Sequence, residues 1–389
     1  MPTLPPLRLT GARVLRDNAL HDTDLCLAHG VITDPVPARE LDLRGYLVLP
    51  GIVDLHGDGF ERHLSPRPSA PFDKRRALLS AASELAVNGV TTAWLAQSWS
   101  WEGGFRSGTA TQELLAALDG ARDELTLDMR VQIRLETHVL PEHDALRAAV
   151  ARHKVDYIIF NNHLPEAIEM ADHRPERFAQ WAAQQGRDAA TLMAIVRGAQ
   201  EQEPDVPDAL RGLAAELRAA CVRLGSHDDS TADIRAFYRG IGADVCEFPT
   251  TMDAAQAARD AGDPVLMGAP NVVRGGSQSG NIAATDLIEA GLCDGLVSDY
   301  YYPALKQAAW ALTDRGLADF ARAWAMVSTH AADIGGLTDR GRLDAGQRAD
   351  VVVMNPETRR VEMTLSAGRV AHLSGELARR LVAVDMVPA

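Results

Sequence analysis

The stretch Ile52-Val53-Asp54-Leu55-His56-Gly57-Asp58 runs from an apolar, β-type segment into a histidine and an acid two residues apart. In an extended strand successive side chains alternate, so His56 and Asp58 project to the same side, where both can clasp one ion. Working outward from this first strand (52–56), seven more runs of the same character follow, at 90–96, 130–137, 155–161, 221–227, 243–248, 264–268 and 295–299. Helical stretches such as 74–87, 207–220 and 252–261 lie between some of them. Apolar runs alternating with helices are the pattern of parallel βα units. Eight strands are what a closed barrel requires. The expected fold is therefore α/β, a (β/α)8 TIM barrel. A doubly wound open sheet competes, but no GxGxxG follows the first strand.

Both ends of the chain read differently. Short strands with turns fill 7–47, for example Leu41-Asp42-Leu43, and they recur in Ala349-Asp350-Val351-Val352-Val353-Met354 and Arg360-Val361-Glu362-Met363. Two short-stranded ends around a long middle suggest that the termini meet in one small β-sandwich domain. The expected division is 1–50 and 336–389 for that domain and 51–335 for the barrel.

The bulk numbers narrow the function. With 389 residues and 46% hydrophobic content the chain can bury one large domain and a smaller one. No apolar run approaches the roughly 18 residues of a membrane span, and Met1 to Arg8 lacks a basic region followed by an apolar core. Cys26, Cys221, Cys246 and Cys293 form no CxxC pair, which argues against a disulfide framework or a structural zinc knuckle. A cytoplasmic protein, free or as a homo-oligomer, is the plain expectation. A formal charge of −14 disfavours nucleic acid as a partner. It also means that an anionic substrate must rely on bound metal and a few local arginines.

Barrel enzymes place their catalytic groups where strands end at the C-terminal face. Reading those ends here gives His56-Gly57-Asp58 after the first run, Glu136 in the third, Asn161-Asn162-His163 after the fourth, Ser226-His227-Asp228-Asp229 at the fifth and Ser298-Asp299-Tyr300 at the eighth. One histidine at a strand end is more often structural than a ligand; the coincidence at several ends points to a metal site. Imidazole and carboxylate together suit zinc foremost, with iron or manganese also served. The expected ligands to one or two divalent ions are His56, Asp58, Glu136, His227, Asp299 and, as ligand or substrate contact, His163. Asp299 could take a proton from water and return it to a leaving group.

A second cluster follows the seventh run. Between Gly268 and Asn281, glycines alternate with Asn271, Arg274, Ser277 and Ser279, and the backbone N–H groups around Gly275 and Gly276 could cradle an anion. Loops after the seventh and eighth strands of barrels often bind phosphate, which adds Tyr300. Pro66-Arg67-Pro68 holds Arg67 in a stiff extended loop suited to an anion contact. His63, close to the first site, is a further candidate for binding a phosphorylated small-molecule substrate.

Leu49-Pro50-Gly51-Ile52-Val53-Asp54-Leu55-His56, entering the first strand from a small sheet domain, and Gly346-Gln347-Arg348-Ala349-Asp350-Val351-Val352-Val353, returning to it, resemble the amidohydrolase superfamily. A narrower resemblance, to the diphosphatases of the carbon–phosphorus lyase pathway, runs through His56-Gly57-Asp58, Leu64-Ser65-Pro66-Arg67-Pro68, Ser226-His227-Asp228-Asp229, Glu247-Phe248-Pro249-Thr250-Thr251, the Gly268 to Asn281 stretch and Ser298-Asp299-Tyr300-Tyr301. It implies hydrolysis of α-D-ribose 1-methylphosphonate 5-triphosphate to the 5-phosphate and diphosphate, in phosphonate catabolism. The chain departs from that family at Gln278, where a histidine is usual, and in Asn162-His163-Leu164-Pro165-Glu166-Ala167. Many superfamily members bridge two metals through a carbamylated lysine; Lys74, Lys154 and Lys306 are all poorly placed for this, which leaves Glu136 as the substitute. The same fold opening a C–N bond, and a barrel that only binds, stay open as alternatives.

Overall fold

The computed structural model of the chain describes residues 3–67, 70–277 and 280–384. Its centre is a parallel sheet of eight strands: β1 (Ile52–Gly57), β2 (Val90–Trp99), β3 (Asp128–Glu136), β4 (Tyr157–Asn161), β5 (Arg223–His227), β6 (Val245–Glu247), β7 (Val265–Gly268) and β8 (Gly295–Val297). Each strand pairs with the next in chain order, and a parallel bridge between Gly57 and Asp299 brings β8 back to β1. Closure is tight. The Asp299 N–H donates to the His56 carbonyl at 3.0 Å, and the Asp58 N–H to the Asp299 carbonyl at 2.8 Å. Asp54 accepts from the Ser298 N–H at 2.9 Å and its hydroxyl at 2.5 Å. A Cβ at Gly57 would lie 2.6 Å from the Ser298 hydroxyl and 2.8 Å from Asp54, so only glycine permits this approach.

The eight expected runs fall one to one on the eight strands, as burial on both faces requires; every residue of β2 is buried. The ends differ for a local reason. The sixth and eighth runs stop short of 248 and 299 because Phe248 (φ 53°) and Asp299 (φ 54°) turn into the left-handed region, and Cys221 (φ 61°) does the same ahead of β5.

Val53, Leu55, Trp94, Tyr157, Ile159, Val245, Leu266 and Val297 pack together with Ala331, Ile334 and Leu337. Six different strands contribute, which is possible only across the barrel interior. This apolar plug fills the barrel, so the polar strand ends gather at the mouth. Helices cover the outside, among them Lys74–Val87, Val206–Ala219 and Met252–Asp260. Between β4 and β5 the helices Leu164–His173, Pro175–Gln184 and Ala189–Gln200 form an insertion that the sequence reading did not single out.

The termini build two sheets. Leu7–Thr10, Leu25–Ala28, Val31–Thr33 and Arg39–Asp42 form one. In the other, Leu47–Pro50 pairs antiparallel with Val351–Asn355, so both ends of the chain share one sheet. Leu9, Val14, Leu27, Val48, Val353 and Leu365 lie in their common core. Leu47–Pro50 runs straight into β1 through Gly51, where a Cβ would overlap the Thr91 side chain.

Candidate metal centre

At the C-terminal ends of β1, β5 and β6 the structure brings together His56, His227 and Glu247, each offering a ligand atom within 4.8 Å of the others. The His56 Nδ1 lies 2.6 Å from Glu247 Oε2, and the two imidazoles are 5.3 Å apart between centroids. Phe248 holds both rings in place, edge-on to His56 at 5.1 Å and against His227 at 4.8 Å. The residue after each of β5 and β6 (Asp228 and Phe248) and the second residue after β8 (Asp299) take positive φ. These three cost conformational energy, the kind of strain that clusters at functional sites.

The donor set fits a divalent metal. The His227 side chain is only 8% exposed, and its desolvation holds the ring below the usual range, hence neutral, the form a metal requires. Its Nδ1 lies 2.8 Å from Asp228 Oδ2 but off the hydrogen-bond direction, which leaves a buried nitrogen unsatisfied. Glu247 is fully buried. Burial pushes its carboxyl up, but the adjacent His56 and the hydrogen bonds outweigh this, so it stays ionised below the ordinary carboxylate range. Oε1 accepts from Gln132 Nε2 at 2.8 Å and from the Tyr157 hydroxyl, while Oε2 takes His56. With both oxygens engaged, Glu247 is placed to fix His56 with its Nε2 turned outward, the carboxylate–histidine–metal arrangement. Glu247→Gln should then weaken metal binding about 10- to 100-fold, read by competition with a chelator; unchanged affinity would remove Glu247 from the centre.

The other expected ligands fall outside this cluster of three. Opposite β2, the register of β1 shifts between Asp54 and Gly57, which breaks the simple alternation. His56 therefore points across to Glu247, whereas Asp58 faces Arg134 at 3.7 Å. Glu136 accepts from His163 through Nδ1 at 2.6 Å and N–H at 3.1 Å, and from Trp101 Nε1 at 3.2 Å. His163 does follow β4; burial would lower its ring, but the charge and hydrogen bond of Glu136 raise it instead. Asp299 is pushed up to about 6, first by burial and then by the negative charge of Asp58. Lys306 is bonded to Asn88, Lys74 to Glu113, and Lys154 ends a helix, so no lysine joins the centre.

A cavity of about 240 Å³ opens above these groups. Asp58, Arg134, His227 and Asp299 line it together with Asn271, Arg274, Gly276, Ser277, Asn281 and Tyr300. Arg274 donates to the Tyr300 hydroxyl at 3.2 Å. The expected backbone cradle is corrected. The stretch Ala269–Arg274 is helical, and the N–H groups of Gly275 and Gly276 both donate to the Asn271 carbonyl, at 3.1 and 3.0 Å, to cap it. Anion contacts from this loop would thus fall to side chains. His63 is turned away, its Nε2 2.8 Å from Glu84. Arg67 is exposed and does not line the cavity. Ser279, Gln278 and Pro68 lie outside the described residues.

Two residues of this mouth were given no role in the sequence reading. Glu247 ends a run just as His227 does, and Arg134 precedes Glu136 by two on one strand, hence on one face. Both signals were available.

An eight-stranded parallel barrel with a terminal sheet domain and a cluster of imidazole and carboxylate groups at its mouth is the architecture of the amidohydrolase superfamily. A solved structure described as an amidohydrolase superimposes with TM-score 0.65 at 14% identity over 95% of this chain and 100% of that one. The β-aspartyl dipeptidase of Fervidobacterium islandicum AW-1 does so with TM-score 0.63 at 14% identity, over 95% and 97%. No family model matches the chain. The alpha-D-ribose 1-methylphosphonate 5-triphosphate diphosphatase of Escherichia coli (strain K12) is 33% identical over 332 residues, 80% of this chain and 84% of that protein. The chain belongs to the family of that diphosphatase, within the amidohydrolase superfamily.

Proposed function

We propose that the protein hydrolyses a ribosyl 5-triphosphate bearing an alkylphosphonate, releasing diphosphate and leaving the 5-phosphate. The observation that carries this is one cavity lined both by the donors His227 and Asp299 and by Arg274, Ser277 and Asn281. The named activity of the Escherichia coli relative supports the substrate class. His56 and His227, fixed by Glu247, would hold one divalent ion, zinc in this reading, with iron or manganese as substitutes; Asp58 and Asp299, which line the same cavity, would serve a second ion or the substrate, with Glu136 and His163, bonded to each other, as further candidates. When bound, such an ion supplies Lewis-acid stabilisation of phosphoryl oxygens and a lowered pKa for water. Asp299, with a carboxyl near neutrality, takes the proton of the attacking water and passes it on to the leaving diphosphate. Arg274 and Asn281 orient the phosphates, and attack on phosphorus breaks the bond to the departing diphosphate.

The same reading divides the chain at 50/51 and 335/336 and places it in the cytoplasm. No helix of the described residues is long and apolar enough to cross a membrane. The test is an assay of purified, metal-loaded protein on a ribosyl 5-triphosphate and, separately, on N-acyl and cyclic amides. Diphosphate release from the first is expected; turnover confined to amides would replace this function with C–N hydrolysis.

A further inference from the structure

We propose that Arg134 is an anion-holding residue of this site, its guanidinium gripping a phosphoryl group at the barrel end of the cavity, across from Arg274. The inference rests on the reading of the cavity as a phosphate site and specifies which cation meets the reacting end of the substrate.

Position comes first. On β3, Gln132, Arg134 and Glu136 alternate onto one face. Gln132 reaches Glu247 inside the barrel, so this face looks into the mouth, and Arg134 lines the cavity with His227 and Asp299.

Its bonding is incomplete. A guanidinium carries five N–H donors in a fixed fork. The Arg134 side chain is only 13% exposed, yet its one ion pair among the described residues is with Asp58 at 3.7 Å, too long for a hydrogen bond. Its Nε is buried with no partner. Arg340, comparably enclosed, is tied down at 2.7–3.1 Å by Thr92, Asp128 and Asp339. A buried cation held this loosely is costly unless an anion arrives to complete it.

Charge makes the same point. Arg134 is close enough to act electrostatically on His163, His227, Asp228 and Asp299. A fixed cation beside a set of metal ligands repels the ion they would hold. A phosphoryl group between the two, carrying negative charge toward each, turns that repulsion into attraction. A neutral amide would leave it in place. With a chain charge of −14, the polyphosphate must be held by such local cations. Arg134 from β3 and Arg274 from beyond β7 supply one at each side of a single cavity, matching a ligand charged along its length.

The experiment measures inorganic diphosphate binding to the metal-loaded full chain by titration calorimetry, together with metal content and melting temperature. Arg134→Gln is expected to weaken diphosphate by about 10- to 100-fold with metal content and melting temperature unchanged, the size of a lost charged hydrogen-bonding partner. Arg134→Lys, which keeps the charge and loses the fork, is expected to fall in between. If the native protein binds diphosphate and Arg134→Gln binds it within about twofold of native, this inference fails and the proposed function stands. If the native protein itself binds no diphosphate at millimolar concentration, the phosphate reading of the cavity fails first. Should Arg134→Gln lose its metal or its fold, Arg134→Lys carries the test, and native affinity in that variant overturns the proposal.

Discussion

Asp299→Asn is expected to lower turnover about 10²- to 10⁴-fold, the contribution of a general acid–base group, while the fold and the ion at His56 and His227 persist. Burial, then the charge of Asp58, pushes the Asp299 carboxyl up to about 6, close to the pH at which a proton must be both taken and returned. The backbone ties that close the barrel here, Asp299 N–H to His56 and Asp58 N–H to the Asp299 carbonyl, do not involve the side chain and survive the substitution. The sign of the stability effect follows from linkage. Between 3.8 and about 6 the folded native protein binds more protons than the unfolded chain, so its stability falls as pH rises through that window. The asparagine variant escapes this loss. Metal-free Asp299→Asn should therefore be more stable than native protein at pH 7, and the two should converge below the ordinary carboxylate range. Near-native turnover would refute the assignment of the base; equal stability at neutral pH would refute the environment assigned to it.

Arg235→Ala should cost about 3–5 kcal/mol of folding stability in urea denaturation, because it leaves carboxylates buried without their cation. The side chain, on the helix Ala232–Gly240, is 1% exposed. It donates to the Ser226 hydroxyl at 2.6 Å, to Asp229 at 3.1 Å, and to the carbonyls of Val245 and Ala243. Asp263 lies 3.6 Å from its Nε. Burial pushes both Asp229 and Asp263 up, and Arg235 is the first-ranked influence holding each down. Asp263 keeps Arg239, so Asp229 bears most of the loss. Since Ser226 and Asp229 flank His227, the same change loosens β5 where it meets the metal centre. A loss below about 1 kcal/mol would show that water or a rearranged partner satisfies the site.

The barrel was legible because its strands are buried on both faces, which leaves short runs rich in apolar and β-branched residues, such as 90–96, recurring between helical stretches. His56, His227 and Asp299 were legible as polar residues ending such runs. Glu247 was passed over because it lies one residue inside the run 243–248, and nothing local shows that Tyr157 and Gln132 converge on its carboxylate from other strands. The shift within β1 was equally invisible, because register is set by the partner strand. Periodicity says that His56 and Asp58 share a side; pairing with β2 and β8 separates them. In the 268–281 loop, glycine was read as openness to a ligand, whereas Gly275, at φ 82°, ends a helix. The two uses have the same local signature.

The pairing of Leu47–Pro50 with Val351–Asn355 also orders events during synthesis. Leu47–Pro50, which leads into β1, is made before the barrel, while its partner Val351–Asn355 emerges after it. Until then one edge of Leu47–Pro50 offers its N–H and C=O groups to any passing strand. A chain lacking Val351–Asn355 would carry that sticky edge beside a nearly complete barrel, so the pairing that joins the two ends of the sheet also removes a site for strand addition.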